Sequence, residues 1–516
     1  FPTEKDIREA SIFHTDRNMP SQRIYGFDYG KGLAIVGMLL AHTFEGGICN
    51  WDHRAESSYL QRIPTVVIVI LSPIALICLM GLFFTFITSI TCSISVMRIE
   101  KKGKKAVMAY FLYRFMFGVV LKLMYTFLLN WWDKFGLFDT MKIAFPETEL
   151  STSGNTLDSI GACGFLVPVA VYYIRKLPFA RDWKVQVSIL TSVAVVLLYF
   201  YLNIADFAIL LSDWFKKYRF NFISMLLSIV GTGPFMIAQC LPFGLVGGAL
   251  AIIMTNSKKW KPLWIYTGIL GAVCIVVVII FFITNDNPFD AIMDTRKPCF
   301  VRFLELSFEV LIIVIAVYLS DCEDRSLVAR YNFNKQVTFL RRISVVSLSC
   351  YVFEKWTSKQ LLKVFDIFVG KPYDVGSGES LWSFWAVGLF MITNFVIDLY
   401  IIKIWEGMQF RFSCEHMIAA ILSFIFNKKE EVDWTASNKK IIYGPVNELE
   451  RQIMESSADA DKLKKQGIAS EVEMIDSADP EKGTTGRQRQ QVGDKQEAEL
   501  MTTLIGLKEE QKQASG

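Results

Sequence analysis

The sequence predicts an all-α fold, a polytopic transmembrane helical bundle of about ten spans with a disordered cytoplasmic C-terminal tail, and three observations predict it. Hydrophobic residues make up 52% of the 516-residue chain, above their share of ordinary soluble domains. They gather in blocks such as Thr65 to Ile90, which at about 1.5 Å of rise per residue outreach a hydrocarbon layer of about 30 Å. The blocks lack the period-two alternation of a membrane barrel, so their backbone groups must be satisfied within helices.

Ten blocks follow one another, centred near Met38, Leu79, Val120, Val169, Val195, Leu241, Val276, Ile313, Ser347 and Phe390. The sixth, GTGPFMIAQCLPFGLVGG, carries Gly231, Gly233, Pro234 and Pro242 and is expected to be kinked, broken or partly re-entrant. Residues 1–28 form a polar lead-in and residues 29–426 the membrane domain, which closes on an amphipathic stretch within Trp405 to Phe426. Residues 427–516 are rich in Lys, Glu, Gln, Asp and Ser, with too little apolar surface to offset the entropy of folding.

Basic residues set the orientation. With the N-terminus in the cytoplasm, the inner loops are Arg98 to Lys105, Arg175 to Lys184, Ser257 to Lys261 and Asp321 to Arg342, all short and rich in Lys and Arg. The opposite loops, such as Asp133 to Glu149 and Asn285 to Asp294, are longer and balanced or acidic. Ten spans then leave both termini in the cytoplasm. The net charge of +4 implies no nucleic-acid partner, and the ten cysteines show no metal-ligand spacing. Most cysteines fall within apolar blocks; only Cys49 and Cys299 lie in expected outer loops, where a bridge is conceivable.

Chemistry enters with KGLAIVGMLLAH, Lys31 to His42. From Lys31 the helix rises about 16 Å to His42, which places the imidazole at or beyond mid-membrane. A low-dielectric setting favours the neutral ring, the state a general base needs. Eleven residues on, His53 lies in GGICNWDHRAESS, where Gly46 and Gly47 let the outer loop fold back over the first helix. A polar residue in a bundle often only bonds a neighbouring helix, but ionisable groups at membrane depth default to functional hypotheses.

RIYGFDYGKGLAIVGMLLAH resembles the opening signature of the membrane-integral acyltransferases that include heparan-α-glucosaminide N-acetyltransferase and the acyltransferase family 3 proteins. The pattern of Arg, Asp, a basic residue with Gly, an apolar run and His or Asn falls on Arg23, Asp28, Lys31, Gly32 and His42. The step from His42 to His53 is similar to the paired active-site positions of the heparan enzyme. Lys31 replaces the commoner Arg, and His42 stands where the heparan enzyme has Asn. Weaker likenesses follow at Tyr110 to Leu123, Thr295 to Leu311, Arg341 to Phe353 and Ile404 to Met417, so the resemblance runs from Arg23 to about Ile421.

The resemblance implies transfer of an acyl group, typically acetyl from acetyl-CoA, to a hydroxyl or amine of a carbohydrate or lipid on the far side of the membrane. His42 and His53 are the expected catalytic residues, as a base for direct attack or as a transiently acetylated nucleophile. The phosphates of CoA suit guanidinium and ammonium groups on the inner side, with Lys31, Arg114, Arg175, Lys176, Arg341 and Arg342 as candidates. An orienting carboxylate is expected from Asp52, Glu45 or the i, i+4 pair Glu305 and Glu309. Asp28 and Lys31, three apart at a helix start, read as a cap and ion pair. No metal is implied; membrane lipid and the acceptor are the expected partners, and a homodimer is compatible with the reading. The rival is a secondary transporter, built on a break at Gly231 to Pro242 and on Lys122, Asp206 and Asp398 within spans. A membrane scaffold would leave His42 without a role.

Overall fold

The computed structural model describes residues 23–50, 52–64, 66, 77, 80–134, 155–257, 260–284, 298–322, 324–426 and 437–454. All regular structure among them is helical, apart from one isolated bridge between Tyr373 and Ser380. Residues up to Glu450 form one compact unit and Arg451–Gly516 a second, of which only residues 451–454 are described.

The first helix, α1 (Tyr25–His42), continues directly into a π-helical turn, Thr43–Ile48, and is followed by the short α2 (His53–Arg62). Next come α3 (Phe83–Glu100), α4 (Lys104–Lys134) and α5 (Thr156–Lys176). α6 (Trp183–Tyr199) and α7 (Tyr201–Lys217) meet at a bend of 67°. α8 (Asn221–Gly231) leads to α9 (Ile237–Asn256) and α10 (Lys261–Thr284). α11 (Cys299–Asp321) is followed by the short α12 (Leu327–Gln336) and α13 (Thr338–Val345). α14 (Ser347–Phe368), α15 (Phe384–Gly407) and α16 (Cys414–Ile425) complete the series, and a further helix begins at residue 437.

α3, α4, α5, α9, α10 and α15 are each long and apolar enough to cross a bilayer, and the bent pair α6 and α7 passes the same test as one unit. The protein is therefore a multi-pass membrane protein. α9 lies at the centre, packed against α3, α5 and α6, where Phe86, Ile90, Val167, Leu190, Phe243 and Val246 form a closed core. The sixth block is broken as expected, with the break at residues 232–236 between α8 and α9. Gly233 and Pro234 lie in the connection before α9, whereas Pro242 sits near the start of an unbroken helix, where neighbouring helices tolerate the missing amide.

α1 runs beside α11, α13 and α14. The approach to α13 depends on Gly32: a Cβ there would lie 2.2 Å from the carbonyl oxygen of Leu340. Ile24, not a polar residue, occupies the N-cap of α1, and Asp321 from the end of α11 accepts the exposed amides of Tyr25 and Gly26 at 3.0 and 2.8 Å. Asp28 accordingly does not pair with Lys31 as expected; it is gripped by Arg23 through two bonds of 2.6 and 2.8 Å.

Two further expectations are corrected. The ninth block is not one helix, because the chain turns at Val346 between α13 and α14. Cys49 is buried and Cys299 opens α11, and both thiols are free. Within the tail, where the composition favours disorder with patches of helix, residues 437–454 are helical, and 442–448 lie against the bundle. There Arg341 donates to the carbonyl of Ile442 at 3.0 Å, and Tyr443 and Glu448 bond Glu406 and Tyr25. A buried cation that needs acceptors supplies the ordering that composition alone does not. Residues 455–516 of the expected tail lie outside the described residues.

Candidate functional site

His42 is the last residue of α1, at the point where the backbone widens into the π turn. Such turns are uncommon and recur at functional sites, because the extra residue per turn redirects side chains. Nδ1 of His42 is hydrogen-bonded to Oε1 of Glu354, which comes from the middle of α14. The carboxylate is almost sealed, with 2% of its side chain exposed, whereas the histidine retains 22%. A buried acid thus holds one ring nitrogen while the imidazole keeps an approach from outside. The ring of Tyr351, one turn before Glu354, lies 6.2 Å from that of His42.

α15 extends this polar group. Asn394 donates to Thr43 Oγ1 at 2.9 Å and to Asp398 Oδ2 at 3.2 Å, while its own Oδ1 is buried without a hydrogen-bond partner. Thr43 in turn donates to the carbonyl of Leu39, and Thr357 to that of Glu354. Asp398, placed among the transporter-type charges by sequence, belongs to the surroundings of the histidine instead.

Beyond the pair opens a cavity of about 460 Å³, bounded by Gly46 and Gly47 of the π turn, by Trp356, Lys359 and Lys363 of α14, and by Tyr373 of the following loop. Gly46 is four residues past His42 and Trp356 two past Glu354, so the lining comes from the same two segments that carry the pair. Its volume suits a small ligand or one sugar-sized group.

At the other end of α1, Lys31 makes no hydrogen bond or ion pair with the described residues. The charges that act on it are first Asp28, then Arg23 and, more weakly, Arg114 on α4. Arg114 donates through Nε to the carbonyl of Gly164 at 3.2 Å and rests 4.6 Å from the centre of the Phe117 ring, while Nη2 is buried with no hydrogen-bond partner. Gly164 makes the room, since a Cβ there would lie 2.3 Å from Nη2. The guanidinium of Arg114, with a spare donor inside the bundle, is chemically suited to an anionic group.

The other expected phosphate ligands are engaged elsewhere. Arg175 and Lys176 both bind Glu100, at 3.1 and 2.5 Å, and clamp the ends of α3 and α5 together. Arg341 is wholly buried and donates to Asn334, Thr338 and Ile442; burial pushes its guanidinium down to about 10, so it stays charged at neutral pH. Arg342 is paired with Glu406 at 2.7 Å and bonded by Tyr443.

The carboxylate seen bonded to His42 is Glu354, which is not among the expected orienting acids. Asp52 caps α2 by accepting the amide of Arg54 at 2.9 Å, and the Arg54 guanidinium beside it holds the carboxyl below the usual carboxylate range. Only the backbone of His53 is described, as the first residue of α2, so its side chain lies outside the described residues. Glu305 pairs with Arg302 at 2.6 Å, and both oxygens of Glu309 are buried without hydrogen-bond partners. Of the charges that suggested a transporter path, Lys122 is paired with Asp158 at 2.8 Å.

Glu354 is the residue that sequence reading missed. The motif RRISVVSLSCYVF ends one position before it, and a lone acid inside the apolar run CYVFEKW was the available signal. No family model, no curated protein and no solved structure matches the chain.

Proposed function

We propose that the protein is an integral membrane acyltransferase that moves an acyl group, most simply acetyl, from cytoplasmic acyl-CoA to a hydroxyl or amine of a carbohydrate or lipid on the opposite side. The single observation that carries this reading is the His42–Glu354 pair, a partly exposed imidazole held by a sealed carboxylate between a cationic seat and an outer cavity. The likeness of Arg23 to His42 to the acyltransferase signature supports the same chemistry.

With Nδ1–H directed at Glu354, Nε2 accepts the proton of the acceptor hydroxyl or amine as its oxygen or nitrogen attacks the thioester carbonyl. The C–S bond breaks, and the departing CoA thiolate takes the proton from the imidazolium, which returns the ring to its starting state. Lys31 and Arg114 hold a phosphate of CoA on the inner side, about 16 Å along α1 from His42, a gap for the pantetheine arm.

α1, α11 and α14 are 18, 23 and 22 residues long and carry Lys31, Glu309 and Glu354. Counting them as spans beside the seven apolar ones gives ten. The short basic connections at residues 101–105 and 175–184 support a reading with both termini in the cytoplasm.

The test uses the purified protein in nanodiscs with radiolabelled acetyl-CoA and a panel of sugar and lipid acceptors. Acyl transfer, or thioester hydrolysis without acceptor, is expected and is lost in His42→Ala. Turnover unchanged in that variant, or solute uptake into liposomes without any acyl transfer, defeats the reading.

A further inference from the structure

The outer cavity is charged in a way that topology does not account for. Lysines flanking spans ordinarily mark the cytoplasmic face, yet this cavity, at the end of α1 opposite its cytoplasmic start, is lined by Lys359, Lys363 and Lys371 against the single acid Asp366. Trp356, Lys359, Lys363 and Asp366 fall at helical spacings of three, seven and ten, so α14 presents them together on one face. Immediately beyond, the chain leaves an apolar rim: Ile367 and Phe368 at the end of α14 are 78% and 82% exposed, and Trp385 at the start of α15 is 81% exposed. A cationic hollow beside exposed aromatic and aliphatic side chains, at the level where spans enter and leave the bilayer, matches an anionic headgroup with its chains still in the leaflet.

We propose that this cavity binds the phosphate-bearing headgroup of an outer-leaflet lipid, entering sideways past Phe368 and Trp385. Lys363 and Lys371 contact the phosphate, and Trp356 and Tyr373 face the group attached to it. This rests on the acyl-transfer reading for its biological sense, since it makes the acceptor a phospholipid or a lipid-phosphate-linked sugar delivered beside the two segments that carry His42 and Glu354. Recognition at the cavity itself depends only on the lysines.

The experiment uses full-length protein carrying His42→Ala, so that binding is read without turnover. It is placed in nanodiscs of phosphatidylcholine with a minor share of phosphatidylglycerol, and the lipid retained on release is counted by native mass spectrometry. Retention of phosphatidylglycerol over phosphatidylcholine is expected, weakened about 30-fold by Lys363→Gln with Lys371→Gln, at about fivefold per lysine near a membrane surface. Lys104→Gln with Lys105→Gln, at the start of α4, should leave that retention unchanged. Equal retention in both double variants overturns the proposal. Free glycerol phosphate that binds as tightly, with the same lysine dependence, overturns the membrane source. Loss of lipid selectivity beside intact acyl transfer to soluble sugars defeats this inference alone. Lysine-dependent lipid retention without any acyl transfer defeats only the enzymatic reading.

Discussion

Nδ1 of His42 bonds Oε1 of Glu354 across 312 positions of sequence, joining the end of α1 to the middle of α14. The bond orients the imidazole and, with the proton on Nδ1, leaves Nε2 as the basic nitrogen. This is the arrangement by which a buried acid sets the tautomer of a catalytic histidine.

Glu354→Gln should therefore fold and fail. An amide at this place presents a donor to Nδ1 as readily as an acceptor and no longer carries the charge that stabilises imidazolium. Acyl transfer should fall by about 10²–10⁴-fold, the range general acid–base groups contribute. Size-exclusion elution should match the parent, and an activity within a few-fold of it would remove Glu354 from the mechanism.

Arg114 offers a test of the inner seat. Arg114→Met or Lys31→Met should raise KM for acyl-CoA about tenfold or more, the order expected on losing a hydrogen bond to a charged group, with kcat little changed. Gly164→Val should act in the same direction, because a Cβ there would lie 2.3 Å from Nη2 and must displace the guanidinium. Steady-state kinetics that show only a kcat effect would place these residues elsewhere.

Packing of α1 against α13 predicts a stability effect with no chemistry in it. Gly32→Val puts a side chain 2.2 Å from a backbone oxygen that has no rotamer to yield. Overpacking of this kind costs about 1–3 kcal/mol. Thermal unfolding in detergent should shift downward, whereas Gly268→Ala on α10, where a Cβ meets nothing within 4 Å, should not move it.

Removal of everything after residue 427 should also destabilise the membrane unit. Arg341 would lose the carbonyl of Ile442, and Arg342 the hydroxyl of Tyr443. A buried cation left short of acceptors costs about 1–3 kcal/mol or more. Truncation after residue 454 should restore the parent melting temperature; a melting temperature equal in both would show that the helix from 437 carries no load.

Two carboxylates, Asp52 and Asp374, predict how the segments that hold them respond to acid. Arg54 holds Asp52, and Ser377 holds Asp374, below the usual carboxylate range. A depressed folded-state value means stabilisation that is present above the unfolded value of about 3.9 and is lost as pH falls below it. The segments around α2 and Asp374 should thus keep unchanged amide-exchange protection from pH 7 to about pH 5 and loosen only in stronger acid. In Asp52→Asn and Asp374→Asn that acid-dependent loosening should disappear.

Much of the architecture was legible in the linear chain, because a bilayer permits few solutions. Long apolar runs must be helices, and the runs at Lys104 to Met124, Thr156 to Lys176 and Phe384 to Gly407 are helices. The reading weakened where spans carry polar groups. Pro242 suggested a break that its packed neighbours absorb, and the run around Ser347 hid the turn at Val346, since nothing local distinguishes a continuous apolar helix from two joined ones.

By itself the sequence determined that the protein is helical and multi-pass, since both follow from hydropathy along the chain; that His42 ends α1 and opens a π turn came from the structure. Only the tertiary structure decided which charges remain available and which are consumed. Arg175, Lys176, Arg341 and Arg342 look equal to Arg114 in one dimension, yet those four meet acceptors brought from distant helices and Arg114 keeps an unsatisfied donor. The reason is physical: a charge in low dielectric is defined by its partner, and helix packing, not spacing along the chain, supplies the partner.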